Sequence, residues 1–168
     1  MPSLPLPGLK KGKELERNTD QLLALGSSAA PTTLHLIDIE NLVGCGKVTA
    51  EAVAEVRRVY MSASKAQVND KYCIAAHPMN RNALLEGWRG ASYLYRKGKD
   101  GADQALLNIY WGLQSPERFQ RIVLGSGDFI FWQLVEDARR AGIKVDVLAR
   151  KGSCSKLLNA YLIDSFNN

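Results

Sequence analysis

The feature that most restricts what this chain can fold into is a repeated pairing of a short apolar run with an amphipathic segment, which begins near Thr32. Leu34-His35-Leu36-Ile37, ending in Asp38, reads as a buried strand, and so do Lys71 to Ala76, Ser92 to Tyr95, Arg121 to Gly125 and Ile143 to Leu148. The segments between them carry helical spacing. Thr49 caps a helix with Val53, Val56, Val59 and Tyr60 on one face, and a short helix follows over Asn80 to Gly87. A third, from Gly101 to Gly112, places Ala102, Leu106, Ile109 and Leu113 together. A fourth opens at Asp128, turns Phe129, Trp132, Leu134, Val135 and Ala138 inward, and stops at Gly142. A last helix is predicted over Ser155 to Ile163, capped by Ser153 or Ser155. Strands that alternate with helices imply an α/β fold, with a parallel sheet of about five strands covered on both faces and right-handed crossovers. In such a sheet ligands sit beyond the carboxyl ends of the strands, so the residues just after each strand carry the functional information.

With 168 residues there is room for one domain, placed over residues 32–168, behind a flexible N-terminal arm over residues 1–31 that mixes Pro, Gly and Ser with the charged stretch Lys10 to Arg17. Hydrophobic residues at 46% and charged residues at 23% exclude a disordered chain. No apolar run approaches the ~20 residues that span a bilayer, so no membrane partner is expected and the protein is read as soluble and cytoplasmic. Cys45, Cys73 and Cys154 form no Cys-x-x-Cys pair, and His35 and His77 are the only histidines, which disfavours a disulfide scaffold or a structural zinc site. The cysteines are read as small core residues and His35 as a satisfied core imidazole. A homo-oligomer is left open.

Carboxylates recur at the strand ends: Asp38 and Glu40 with Asn41 after the first strand, Asp100 and Asp103 after the third, and Asp128 after the fourth. Several carboxylates close together repel one another unless a hard cation such as Mg²⁺ or Mn²⁺ lies between them. Such an ion serves phosphodiester hydrolysis by neutralising the phosphate and activating water. Each acid also has a plainer role open to it. Asp128 and Asp103 sit where helices start and can act as caps. Asn41 can position a phosphate or bond its own backbone, and Asp100 reads as a solvated turn residue. Glu40 points the same way as Asp38 if the strand continues. The Gly125-Ser126-Gly127 turn matches neither Gly-x-x-x-x-Gly-Lys-Ser/Thr nor Gly-x-Gly-x-x-Gly, so nucleotide binding by those means has no support. Ser126 can touch phosphate or hold the turn.

The chain carries a net charge of +5, which favours a polyanionic partner. Its bases gather around the acids: Arg81, Arg89, Arg96, Lys97 and Lys99 face only Glu86 in the same stretch, and Arg150 and Lys151 follow the fifth strand. Bases that flank an acidic pocket suit an RNA backbone, with Arg96, Lys97, Lys99, Arg150 and Lys151 as the candidate contacts. Trp88, Tyr93 and Tyr95, interleaved with them, are read first as packing residues.

Taken in order, Leu36-Ile37-Asp38-Ile39-Glu40-Asn41, Lys99-Asp100-Gly101-Ala102-Asp103-Gln104-Ala105-Leu106, Val123-Leu124-Gly125-Ser126-Gly127-Asp128 and Ala141-Gly142-Ile143-Lys144-Val145 resemble an NYN domain of the PIN-like nuclease superfamily. The resemblance implies a Rossmann-like three-layer fold of strand order 3-2-1-4-5, which sets the first strand beside the fourth and Asp38 beside Asp128. It also implies Mg²⁺ or Mn²⁺ held by Asp38, Asp103 and Asp128, with Glu40 and Asn41 as further site residues, and endoribonuclease activity on RNA. One position departs from the pattern: many members carry a second acid where this chain has Ile130. That departure keeps a non-catalytic RNA-binding module open as the alternative, beside a small-molecule phosphohydrolase in a similar sheet.

Overall fold

The computed structural model describes residues 33–166, so the arm expected over residues 1–31 lies outside the described residues. The strands are β1 (Thr33–Asp38), β2 (Lys71–Ala76), β3 (Ser92–Tyr95), β4 (Arg121–Gly125), β5 (Lys144–Arg150) and β6 (Leu162–Phe166). They form one six-stranded sheet of order β3-β2-β1-β4-β5-β6, parallel at every pairing. Helices α1 (Ile39–Val43), α2 (Ala50–Ala63), α3 (Arg81–Gly87), α4 (Gly101–Trp111) and α5 (Trp132–Arg140) connect and cover it.

Every residue of β1 is buried, as a central strand covered on both faces requires. Leu34 and Leu36 face one layer with Cys73, Ala75, Ile122 and Leu124, under Leu106 and Ile109 of α4 and Leu134, Val135 and Ala138 of α5. Ile37, Ile74 and Val123 face the other, under Val53, Val56 and Tyr60 of α2 and Leu84 of α3. The period-two alternation of the strands thus feeds two separate cores, one per face.

His35 is fully buried on the α2 side, where its ring lies 3.0 Å from the Tyr60 hydroxyl through Nδ1 and 3.1 Å from Asp70 Oδ2 through Nε2. It also stacks on Tyr72 at 4.4 Å between ring centroids. Both ring nitrogens have partners, which is what a buried imidazole needs. The histidine is a structural link between β1, α2 and the loop before β2.

Three expectations fail here. The last helix predicted over Ser155 to Ile163 is a 3₁₀ turn, Leu158–Tyr161, followed by strand β6. The backbone of β6 pairs with β5, from Val147↔Leu162 to Arg150↔Phe166, and buries Phe166 against the Tyr60 core. Ladder pairing and that ring outweigh a helical pattern too short to be stable alone. The cysteines, expected in the core, are split: Cys73 is buried, Cys154 is half-buried, and Cys45 is exposed in the turn after α1, its thiol donating to the Lys47 carbonyl; all three are free. Phe129, expected to face inward, is 60% exposed, because residues 129–131 form a 3₁₀ turn ahead of α5 and the inward position goes to Phe131. Among the described residues no helix is long and apolar enough to cross a membrane.

Candidate metal centre

The crevice lies at the carboxyl ends of β1 and β4, which are neighbours in the sheet with Ile37 opposite Gly125. Asp38 ends β1, and its Oδ1 accepts from the backbone N–H groups of Glu40 and Asn41, both at 3.1 Å, so that it caps α1. The chain therefore does not stay extended through Glu40: it turns helical at Ile39, because Ile39 and Leu42 drop into the core below α2. Glu40 Oε1 instead accepts from the backbone N–H of His77 at 2.7 Å and from Asn80 Nδ2 at 2.5 Å. Asn80 in turn accepts from Val48 N and donates to the Gly46 carbonyl. Glu40 thus ties α1 to the segment after β2, while its charge still reaches Asp38.

Asp103 arrives from α4, which packs over β1, β2 and β3. A Cβ on Gly101 would lie 2.7 Å from the Arg96 carbonyl oxygen, so only glycine lets the start of α4 press so closely on the β3 exit. That approach buries Asp103 at 6% exposure beside Asp38 at 7%. The charge of Asp103 is felt at Asp38, which sets the two buried carboxyls in one crevice, where their mutual repulsion disfavours ionising both. Burial first, then the charge of Asp103, pushes Asp38 up to about 8. Asp103 is raised as well, by burial and then by the charges of Asp128 and Asp100. Its Oδ1 is buried without a hydrogen-bond partner.

Asp128 comes from the turn after β4. Gly127 donates its N–H to Asn41 Oδ1 at 3.2 Å, and its carbonyl accepts from Ser155 N at 2.8 Å. A Cβ on Gly127 would fall 2.5 Å from the Ser153 carbonyl oxygen and 2.6 Å from Cys154 Cα, so backbone from two loops closes around it. Ser126 is fully buried and its Oγ accepts from Asp128 N at 3.2 Å. Asp128 is exposed and its Oδ1 caps the following 3₁₀ turn through Ile130 N at 3.1 Å. Its charge is nevertheless felt by Asp103, which places it at the rim of the same crevice.

Asp38 and Asp103 are therefore buried in one crevice and Asp128 stands at its rim, while among the described residues no group of three His, Cys, Asp or Glu is gathered as a ready cage for a metal ion. The donor set fits a hard divalent cation: crowded, buried carboxyl oxygens, one of them unpartnered, with an exposed carboxylate at the open side.

The other expected residues divide. Arg96, Lys97 and Lys99 are exposed on the turn between β3 and α4, next to Asp100. Lys151 is exposed, whereas Arg150 is half-buried across Gly44, with its Nε unpartnered. Ser126 is buried, its hydroxyl holding the turn, and Asn41 accepts from Gly127 of the β4 turn and not from its own backbone. Tyr93 and Tyr95 are half-buried and stacked at 6.4 Å, with the Tyr93 hydroxyl donating to the Trp88 carbonyl, so the packing role holds for them. Missed from the sequence was a cleft of about 380 Å³ lined by Asp100, Asp128, Phe129, Ile130, Trp132 and Gln133. The signal for it was available in the density of aromatic residues just after Asp128. No protein-family model matches the chain, and no curated protein matches it either.

Proposed function

We propose that the chain is a divalent-metal-dependent endoribonuclease of the NYN, PIN-like type, acting on RNA in the cytoplasm. The observation that carries this reading is the burial of Asp38 and Asp103, two acids distant in sequence, near enough to feel each other's charge, with one Asp103 oxygen buried and unpartnered and Asp128 at the rim. Buried acids with raised pKa values, gathered in a crevice beyond strand ends, are the arrangement in which functional carboxylates are found. Asp38, Asp103 and Asp128 would hold Mg²⁺ or Mn²⁺. When bound, that ion supplies neutralisation of the phosphate and an acidified water. Asp38 and Asp103, once ionised, would present oxygens to it, those of Asp38 oriented by the cap bonds from Glu40 and Asn41 and Asp103 placed by the close seating of Gly101. Asn41 and Ser126 hold the turn that carries Asp128. Arg96, Lys97 and Lys99 lie on the exposed turn where a phosphate backbone would pass. Three free cysteines suit a reducing compartment.

A second reading, an RNA-binding module without cleavage, is favoured by the capping and exposure of Asp128 together with Ile130 in the cleft wall. One experiment separates the two. Purified protein is incubated with a labelled RNA in Mn²⁺, alongside Asp38→Asn and Asp128→Asn. The nuclease reading expects cleavage that EDTA abolishes and that each substitution lowers at least about a hundredfold. Salt-sensitive RNA binding with no cleavage, or cleavage that survives both substitutions, refutes it.

A further inference from the structure

Beyond the carboxylates, the cleft beside them has a composition that the metal chemistry does not call for. One wall carries Asp100 and Asp128, and the rest is Phe129, Ile130, Trp132 and the amide of Gln133. We propose that this cleft seats one unpaired base of a single-stranded RNA, stacked on Phe129, next to the phosphate that the carboxylate site addresses. The inference rests on the nuclease reading and adds the form of the substrate to it.

The geometry of the turn is the first support. Asp128 caps the 3₁₀ turn of residues 129–131 through Ile130 N. Within that turn Phe131 is fully buried and Ile130 packs against the core, while Phe129 is 60% exposed and faces the cleft. A ring turned outward into a cleft, one residue from a candidate ligand, is a ready stacking surface. Trp132 is half-buried against Tyr161, at 6.4 Å between ring centroids, and gives the cleft a firm aromatic wall.

Charge is the second support. A base is neutral, so its ring needs no cation here, and its edge offers donors and acceptors that Gln133 and the carboxylates can meet. The phosphates on either side carry the charge, and Arg96, Lys97 and Lys99 lie within four residues of Asp100, which itself lines the cleft. A cleft of about 380 Å³ falls at the lower end of the ~300–1,000 Å³ typical of small-ligand sites, which admits one base. A duplex keeps its bases stacked and cannot fill it.

The test is fluorescence anisotropy of a labelled single-stranded RNA of about ten nucleotides, in EDTA so that no turnover intervenes, with cleavage in Mn²⁺ as a parallel readout. Wild type, Phe129→Ala and Phe129→Tyr are compared on the intact strand and on strands with one abasic position moved along the sequence. Because Phe129 is exposed, Phe129→Ala folds as wild type does, which thermal melting verifies. Phe129→Ala is expected to bind about tenfold more weakly and Phe129→Tyr within about twofold of wild type. One abasic position is expected to weaken wild type by a similar factor and to leave Phe129→Ala unaffected, because the lost base and the lost ring remove one shared contact. RNA binding and cleavage indifferent to Phe129, an abasic penalty that persists in Phe129→Ala, or tighter binding of duplex overturns the base site and leaves the nuclease reading standing. Absence of RNA binding and cleavage by wild type overturns the nuclease reading, and the base site with it.

Discussion

Replacing Asp38 by Asn should make the metal-free protein more stable at pH 8, the opposite of what removing a buried, hydrogen-bonded side chain usually does. Burial and Asp103 raise the Asp38 carboxyl from 3.8 to about 8 in the folded protein. The folded state therefore keeps a proton that the unfolded chain releases near pH 4. Stability falls as pH rises from about 4 to about 8 and levels off above that. A shift of about four units corresponds to ~5 kcal/mol at ~1.36 kcal/mol per unit. Relaxation and water entry around a crowded pair bring the expected loss to about 2–3 kcal/mol. Asn keeps the cap, because its Oδ1 can still accept from Glu40 N and Asn41 N, and its Nδ2 can donate to Asp103. Urea unfolding in EDTA at pH 5, 6, 7 and 8 is the assay. Wild type should lose stability more steeply across the series than Asp38→Asn, which keeps only the pH dependence due to the raised Asp103, so that the variant ends about 2 kcal/mol the more stable at pH 8. Added Mn²⁺ should restore wild type at pH 8 and do little for the variant. Parallel pH profiles, or a variant less stable than wild type at pH 8, would refute the argument that the Asp38 carboxyl is raised in the folded protein.

Two further outcomes follow from the turn that carries Asp128. Asn41→Ala leaves the buried Gly127 N–H without its acceptor, so urea unfolding should show a loss of about 1–3 kcal/mol, and RNA cleavage should fall because Asp128 is less firmly placed. Gly127→Ala drives a methyl into the Ser153 and Cys154 backbone, so the loops must separate; a loss of about 1–3 kcal/mol is expected, whereas Gly46→Ala, whose Cβ meets nothing within 4 Å, should melt close to wild type.

Much of the fold was legible because strands and helices announce themselves with different periods. β2, β3 and β4 lie where the apolar runs placed them, and Asp38, Asp103 and Asp128 sit at the sheet edge that the alternation assigned to a ligand. What escaped were features fixed by partners far away in sequence. β6 exists because β5 offers it a ladder, and nothing within Leu162 to Phe166 says so. Glu40 turns aside because the chain becomes helical at Ile39 and because Asn80, forty positions on, waits for its carboxylate. Ser126 and Asn41 each accept a backbone N–H of the turn around Gly127, a role set by the packing of two loops that the sequence does not display. Phe129 was misplaced for a local reason: a 3₁₀ turn advances each residue by a wider angle than an α-helix does, so a ring counted on the inner face comes out on the other side.

The account depends on Asp38, Asp103 and Asp128 forming one cation site. The most direct measurement is anomalous diffraction from crystals soaked in Mn²⁺ at pH 8, where the raised Asp38 carboxyl is readily ionised. It should show a peak within about 2.5 Å of carboxyl oxygens from both Asp38 and Asp103, with Asp128 turned toward it. A map with no peak at that crevice, or with the ion held elsewhere on the protein, would contradict it.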